Sequence, residues 1–171
     1  VFCGVYFMAE TAAILNPGIP VLVPDLDAGC SLADGCPADE FEAFVAEYPG
    51  ARVLTYINAS AGVKAISDLI CTSSNAARIV ERIDSENILF VPDENLAAYV
   101  ARGTSKNIIA WNGNCYVHHQ IRPEEIRRVR ASRPDIQVIA HPECRKDVLD
   151  EADAVLSTSG MIRYARESEH T

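Results

Sequence analysis

Short runs of β-branched and other apolar residues recur along the chain, separated by stretches whose apolar positions fall three or four residues apart. VFCGV (1–5), VLVP (21–24), RVLTYI (52–57), LICT (69–72), NILFV (87–91), NIIAW (107–111), IQVIA (136–140) and DAVLS (153–157) each read as a strand. They are nearly continuous in apolar residues rather than alternating, the pattern of a parallel sheet covered on both faces. Between them, DEFEAFVAEY sets Phe41, Phe44, Val45 and Tyr48 on one helical stripe. Pro123 suits the first turn of a helix that carries Ile126 and Val129. The alternation predicts an α/β fold of parallel sheets joined by right-handed crossovers.

The pattern also repeats. Shifted by 85 positions, Cys30 falls on Cys115, Ala12 and Ala13 on Ala97 and Ala98, and Gly18 on Gly103. The same shift, without a gap, sets Pro49 on Pro134, Val53 on Val138, Asp68 on Asp153, Ser74 on Ser159 and Arg78 on Arg163. Agreement of strand, helix and turn positions along the overlay marks an internal repeat. It divides the chain into the second half of one α/β unit (1–33), a complete unit (34–116) and the first half of a third (117–171). A third cysteine is then expected about one repeat beyond Cys115, past Thr171. VFCGV opens the chain as if inside a buried strand, without an initiator Met, so the sequence reads as a fragment.

Composition narrows the partners. Apolar residues make up 49% and charged residues 23%, which fits a packed globular protein. A net charge of −9 argues against a broad nucleic-acid surface, while leaving room for a small anion held by amides and hydroxyls. No apolar run is long enough for a membrane span and no signal peptide is visible, so a cytoplasmic protein is expected. The cysteines (Cys3, Cys30, Cys36, Cys71, Cys115 and Cys144) are too irregularly spaced for a disulfide framework.

In parallel α/β units, ligands gather beyond the carboxyl ends of strands. Tyr56 and Asn58 follow one strand, and His141 and Glu143 follow its equivalent in the repeat. Thr72-Ser73-Ser74 and Ser157-Thr158-Ser159 follow the next strand of each copy and read as helix starts, where free N–H groups favour a carboxylate or phosphate. Each also has a plain structural reading: the hydroxyls as N-caps, Tyr56 as packing, His141 as a bonded loop residue. Cys71 reads as core. Cys36 and Cys144 stand in polar loops without a repeat partner, and His118, three residues past Cys115, is the better placed of two unpaired histidines. Close C-x₂-C pairs of a zinc site are missing. Single thiolates from successive repeats would instead form a three-cysteine site, and on a four-iron cluster that leaves one iron open to substrate.

GVYFMAETAAILNP, DAGCSLADGCPADEF, TYINASAGVKAISDLICTSSNA, PDENLAAYV, CYVH, HPEC and ADAVLSTSGMI, in this order, resemble quinolinate synthase, the iron–sulfur enzyme family of bacterial NAD biosynthesis. The resemblance spans essentially the whole chain. It implies three similar α/β/α units about a pseudo-threefold axis and a 4Fe-4S cluster held by one cysteine from each. Cys30 and Cys115 would be two ligands and the third would lie beyond Thr171. The implied reaction condenses iminoaspartate with dihydroxyacetone phosphate to quinolinate, with a functional link to the enzyme that supplies iminoaspartate. Tyr56 and Asn58 match a Y-x-N element and His141 and Glu143 an H-P-E element, while Ser73 and Thr158 lie in the hydroxyl turns. Glu143 is expected in proton transfer, with Tyr56, Asn58, Ser73, His141 and Thr158 on substrate carboxylates, phosphate and oxyanions. The family's N-terminal substrate motifs are not in this sequence, so the fragment alone is expected to be inactive. Alternatives are a non-catalytic α/β binding protein for a phosphorylated or dicarboxylate ligand, and a related four-iron dehydratase acting on another hydroxy acid.

Overall fold

The computed structural model describes residues 1–169. In chain order its elements are α1 (Tyr6–Leu15), α2 (Ser31–Asp34), α3 (Ala38–Ala46), β1 (Arg52–Tyr56), α4 (Ala61–Ile66), β2 (Leu69–Cys71), α5 (Ala76–Arg82) and β3 (Asn87–Val91). There follow α6 (Glu94–Ala101), β4 (Asn107–Ala110), α7 (Tyr116–His119), α8 (Pro123–Ser132), β5 (Ile139–Ala140), α9 (Lys146–Leu149), β6 (Ala154–Val155) and α10 (Thr158–Glu167). The fold is α/β. A parallel sheet has the order β2-β1-β3-β4, and β5 pairs with β6, also parallel.

The continuous apolar runs of β1 and β3 arise because both faces of the sheet are covered. Leu54 and Tyr56 of β1 join Ile88 and Phe90 of β3 in one core, with Val80, Leu96 and Val100 from the helices laid over it. Val53, Leu89 and Val91 face the other way and pack with Phe41 and Val63. Thr55 is wholly buried, yet its hydroxyl is satisfied by Ser67 Oγ at 2.6 Å, which in turn donates to Val63 O at 2.7 Å. The turn from α3 into β1 uses Gly50 at φ +87°, a conformation open to glycine at little cost.

The elements recur at the shift of 85. α2 falls on α7 residue for residue, and the starts of α3, α4 and β2 fall on those of α8, α9 and β6. One hydrogen bond recurs with them. Asp68 Oδ2 accepts from Val53 N–H at 2.8 Å, and Asp153 Oδ2 accepts from Val138 N–H at 2.7 Å. In each copy the carboxylate before the second strand ties down the start of the first.

Two of the expected strands do not form. VFCGV and VLVP exchange a single ladder-type bond, Phe2 N–H to Leu22 O at 2.7 Å, and neither is assigned to a sheet. Val1 and Leu22 are exposed, with no layer over them, so an apolar run there has nothing to pair or pack against. IQVIA and DAVLS shorten to two residues each, because among the described residues β5 and β6 pair only with one another. Among the described residues no helix is long and apolar enough to cross a membrane.

Candidate active site

The carboxyl ends of β1 and β5 open on a shared cavity of about 520 Å³. Tyr56 closes β1, Asn58 follows it, and His141 and Glu143 follow β5; Thr158, the first residue of α10, completes the polar rim. His118 of α7 also reaches the cavity, and Ile121, Ile126, Val148 and Met161 are among its apolar walls. Ser73 joins through His141, whose Nε2 lies 3.1 Å from Ser73 Oγ across 68 residues of sequence. The two hydroxyl-rich turns differ in detail. Ser157 is a true N-cap whose Oγ accepts from Gly160 N–H at 3.3 Å, whereas α5 starts later and Ser73 lies in the turn before it.

Glu143 is the centre of the polar group and is 3% exposed. Its Oε2 stands 2.9 Å from His118 Nδ1. The contact is close without being aligned as a hydrogen bond, and among the described residues neither His118 Nδ1 nor the other carboxylate oxygen, Glu143 Oε1, has a hydrogen-bond partner. Burial alone would raise the Glu143 carboxyl, but His118 and the Tyr56 hydroxyl outweigh it and hold the group below the usual range. Tyr56 moves the opposite way: burial first, then the adjacent Glu143, pushes its phenol well above the ordinary value. His141 donates nothing through Nδ1, which accepts a long bond of 3.4 Å from Glu143 N–H. The 3.6 Å approach of that same nitrogen to Glu143 Oε2 is therefore not a charged pair, and burial favours the neutral ring. Its proton belongs on Nε2, facing Ser73. The His118 and His141 rings stack at 5.2 Å, and the Glu143 contact raises His118. One imidazole is kept neutral and the other biased toward charge.

Cys115 stands at the N-cap of α7, and Cys30 holds the equivalent place before α2. Both are half-buried against the same apolar cluster. The ligand atoms of Cys115, His118 and Glu143 lie within 4.8 Å of one another, a group able to hold a metal. Cys36 and Cys144, expected in polar loops, are instead 1% and 3% exposed. Cys36 packs with Phe41 and Val53, and Cys144 packs with Val148 while also lining the cavity. Polar neighbours in sequence concealed apolar neighbours in space.

A family model described as quinolinate synthetase A protein matches residues 1–171. The chain belongs to that family. It is 52% identical over 167 residues to the quinolinate synthase of Thermodesulfovibrio yellowstonii, covering 97% of this chain and 55% of the relative. Against the quinolinate synthases of Prosthecochloris aestuarii and Trichodesmium erythraeum it is 53% and 49% identical, covering 98% and 99% of the chain. Those alignments take in 52% and 53% of the relatives, so the chain spans about half the length of the curated quinolinate synthases it matches.

One residue beside this site was not visible as such in the sequence. Asp93 is completely buried and takes N–H bonds from Leu96 at 2.7 Å and Cys115 at 3.1 Å. Burial raises its carboxyl to about 7 against the lowering effect of those two bonds. In PDENLAAYV it looks like any helix N-cap, and the second bond comes from a residue 22 positions on.

Proposed function

We propose that this chain is part of a quinolinate synthase that condenses iminoaspartate with dihydroxyacetone phosphate to give quinolinate, water and inorganic phosphate. The observation that carries the reading is the buried Glu143 carboxylate, set between His118, His141 and Tyr56 in one cavity with a thiol beside it. The units would run over 1–33, 34–116 and 117–171 and be related by a pseudo-threefold axis, a division supported by the recurring elements.

A 4Fe-4S cluster suits the residues present. Cys30 and Cys115 offer soft thiolate donors from equivalent places in two repeats, and the unpartnered Glu143 Oε1 and His118 Nδ1 leave polar capacity unused beside Cys115. Cys30 and Cys115 would hold it with a third cysteine beyond Thr171, and when bound it would supply a Lewis-acid iron open to a substrate oxygen. The protein's own groups do the rest. Glu143, ionised at neutral pH, takes a proton at Oε1. Tyr56, kept protonated, donates to a developing oxyanion, and neutral His141 donates through Nε2. Asn58, Ser73 and Thr158 supply uncharged donors for carboxylate and phosphate oxygens, which a chain of net charge −9 must bind locally.

The test is anaerobic iron and sulfide analysis of the full-length protein, with Cys115→Ser alongside. The expected result is four irons and a brown absorbance in the parent, both lost in the variant. Full iron content and unchanged colour in Cys115→Ser would overturn the reading.

A further inference from the structure

The segment that follows β3 grips the loop that follows β4. Asp93 caps α6 through Oδ1, which accepts from Leu96 N–H at 2.7 Å, while Oδ2 accepts from Cys115 N–H at 3.1 Å. The next residue repeats the grip: Glu94 N–H donates to Gly113 O at 2.7 Å, and Asn114 Nδ2 donates to Glu94 Oε1 at 3.0 Å. The backbones meet closely enough that a Cβ on Gly113 would stand 2.7 Å from Pro92 O. Residues 113–115 are thus held at every position.

Capping does not by itself call for an acid in this place. Ser and Asn cap as well as Asp, and a wholly buried carboxylate is costly to desolvate. What the ionised carboxylate offers is two acceptors and no donor, one oxygen for each N–H. A serine would leave the Cys115 N–H unpaired, and an asparagine would turn an NH₂ toward one of the two N–H groups. The residue type fits the double contact.

We propose that Asp93 is a positioning residue for Cys115, holding its backbone N–H so that the thiol stays beside His118 and Glu143. The inference rests on the reading of Cys115 as an iron ligand. Partners one bond removed from a metal ligand orient it, and their loss weakens metal binding about 10–100-fold.

The experiment uses the full-length protein loaded anaerobically, comparing the parent with Asp93→Ser and Asp93→Asn. Iron release to a chelator, the electron paramagnetic resonance spectrum of the reduced cluster, and far-ultraviolet circular dichroism are recorded. Asp93→Ser keeps the Leu96 cap and removes only the second contact. The expected result is parental circular dichroism in both variants, iron release at least about tenfold faster, and an altered resonance spectrum. Asp93→Ser with parental release and spectrum would overturn the proposal, leaving Asp93 a helix cap. Loss of helical signal in Asp93→Ser would overturn it equally, by making the carboxylate a requirement of folding. A parent protein that binds no iron would overturn the iron-ligand reading and this proposal with it, and that outcome is visible before any variant is made.

Discussion

Glu143 shows what can be expected of one residue in this site. Its carboxylate is held below the usual range although burial opposes ionisation, so it is ionised at neutral pH. Glu143→Gln keeps the shape and removes the base. We expect iron content to stay at the parental level in the full-length protein while quinolinate formation falls at least about 100-fold, within the usual contribution of general base catalysis. Assay of quinolinate beside iron analysis checks this. Tyr56→Phe removes the phenol beside Glu143 and should free that carboxyl to titrate at higher pH, since one of the interactions lowering it is gone. A shift of the acid limb of the pH–rate profile to higher pH is the expected reading. The places of Tyr56, Asn58, His141, Glu143 and Thr158 were legible in the sequence because each ends or follows a strand or opens a helix. Asp93 was not, since its local role as a cap accounts for its type and only the fold brings Cys115 to its other oxygen.

Among the elements, the repeated carboxylate at the foot of the second strand is the most informative. Asp68 bonds Val53 N–H at 2.8 Å and pairs with Arg52, so Asp68→Ala should cost about 1–2 kcal/mol, measured by urea unfolding. Asp153 makes the same bond to Val138, which is the chief reason its carboxyl lies below the ordinary range. A depressed folded value means the stability it contributes is present at neutral pH and is lost as pH falls through that value. Asp153→Asn should accordingly flatten the acid side of a stability–pH curve. In the sheet core, Leu54 is wholly buried between strand and helices, and Leu54→Ala should cost about 2–5 kcal/mol. β1 and β3 were readable because their continuous apolar runs signal burial on both faces, while β2 and β4, at the sheet's edges, carry similar runs that stay partly exposed. The same signal misled at 1–5 and 21–24, because apolarity records a wish for burial and not the presence of a pairing strand.

Over the whole molecule, β2 and β4 end the larger sheet, and Leu69 and Ile70 of β2 are exposed along with Ile14 and Leu15 of α1. An apolar edge strand with unpaired amides templates association. The 171-residue chain alone should self-associate at micromolar concentration, and Ile70→Lys should reduce this, as followed by light scattering. The spacing of apolar and polar residues determined the α/β class, the order of the six strands from β1 to β6 and the repeat of 85 residues, because local dihedral preference and burial set those periods. Spacing could not determine which loops would touch. The sheet order β2-β1-β3-β4 and the placing of β5 and β6 decided that Ser73 meets His141 across 68 residues, that His118 meets Glu143, and that Asp93 meets Cys115. Those contacts join residues far apart in the chain, and only the crossovers of the fold carry them across that distance.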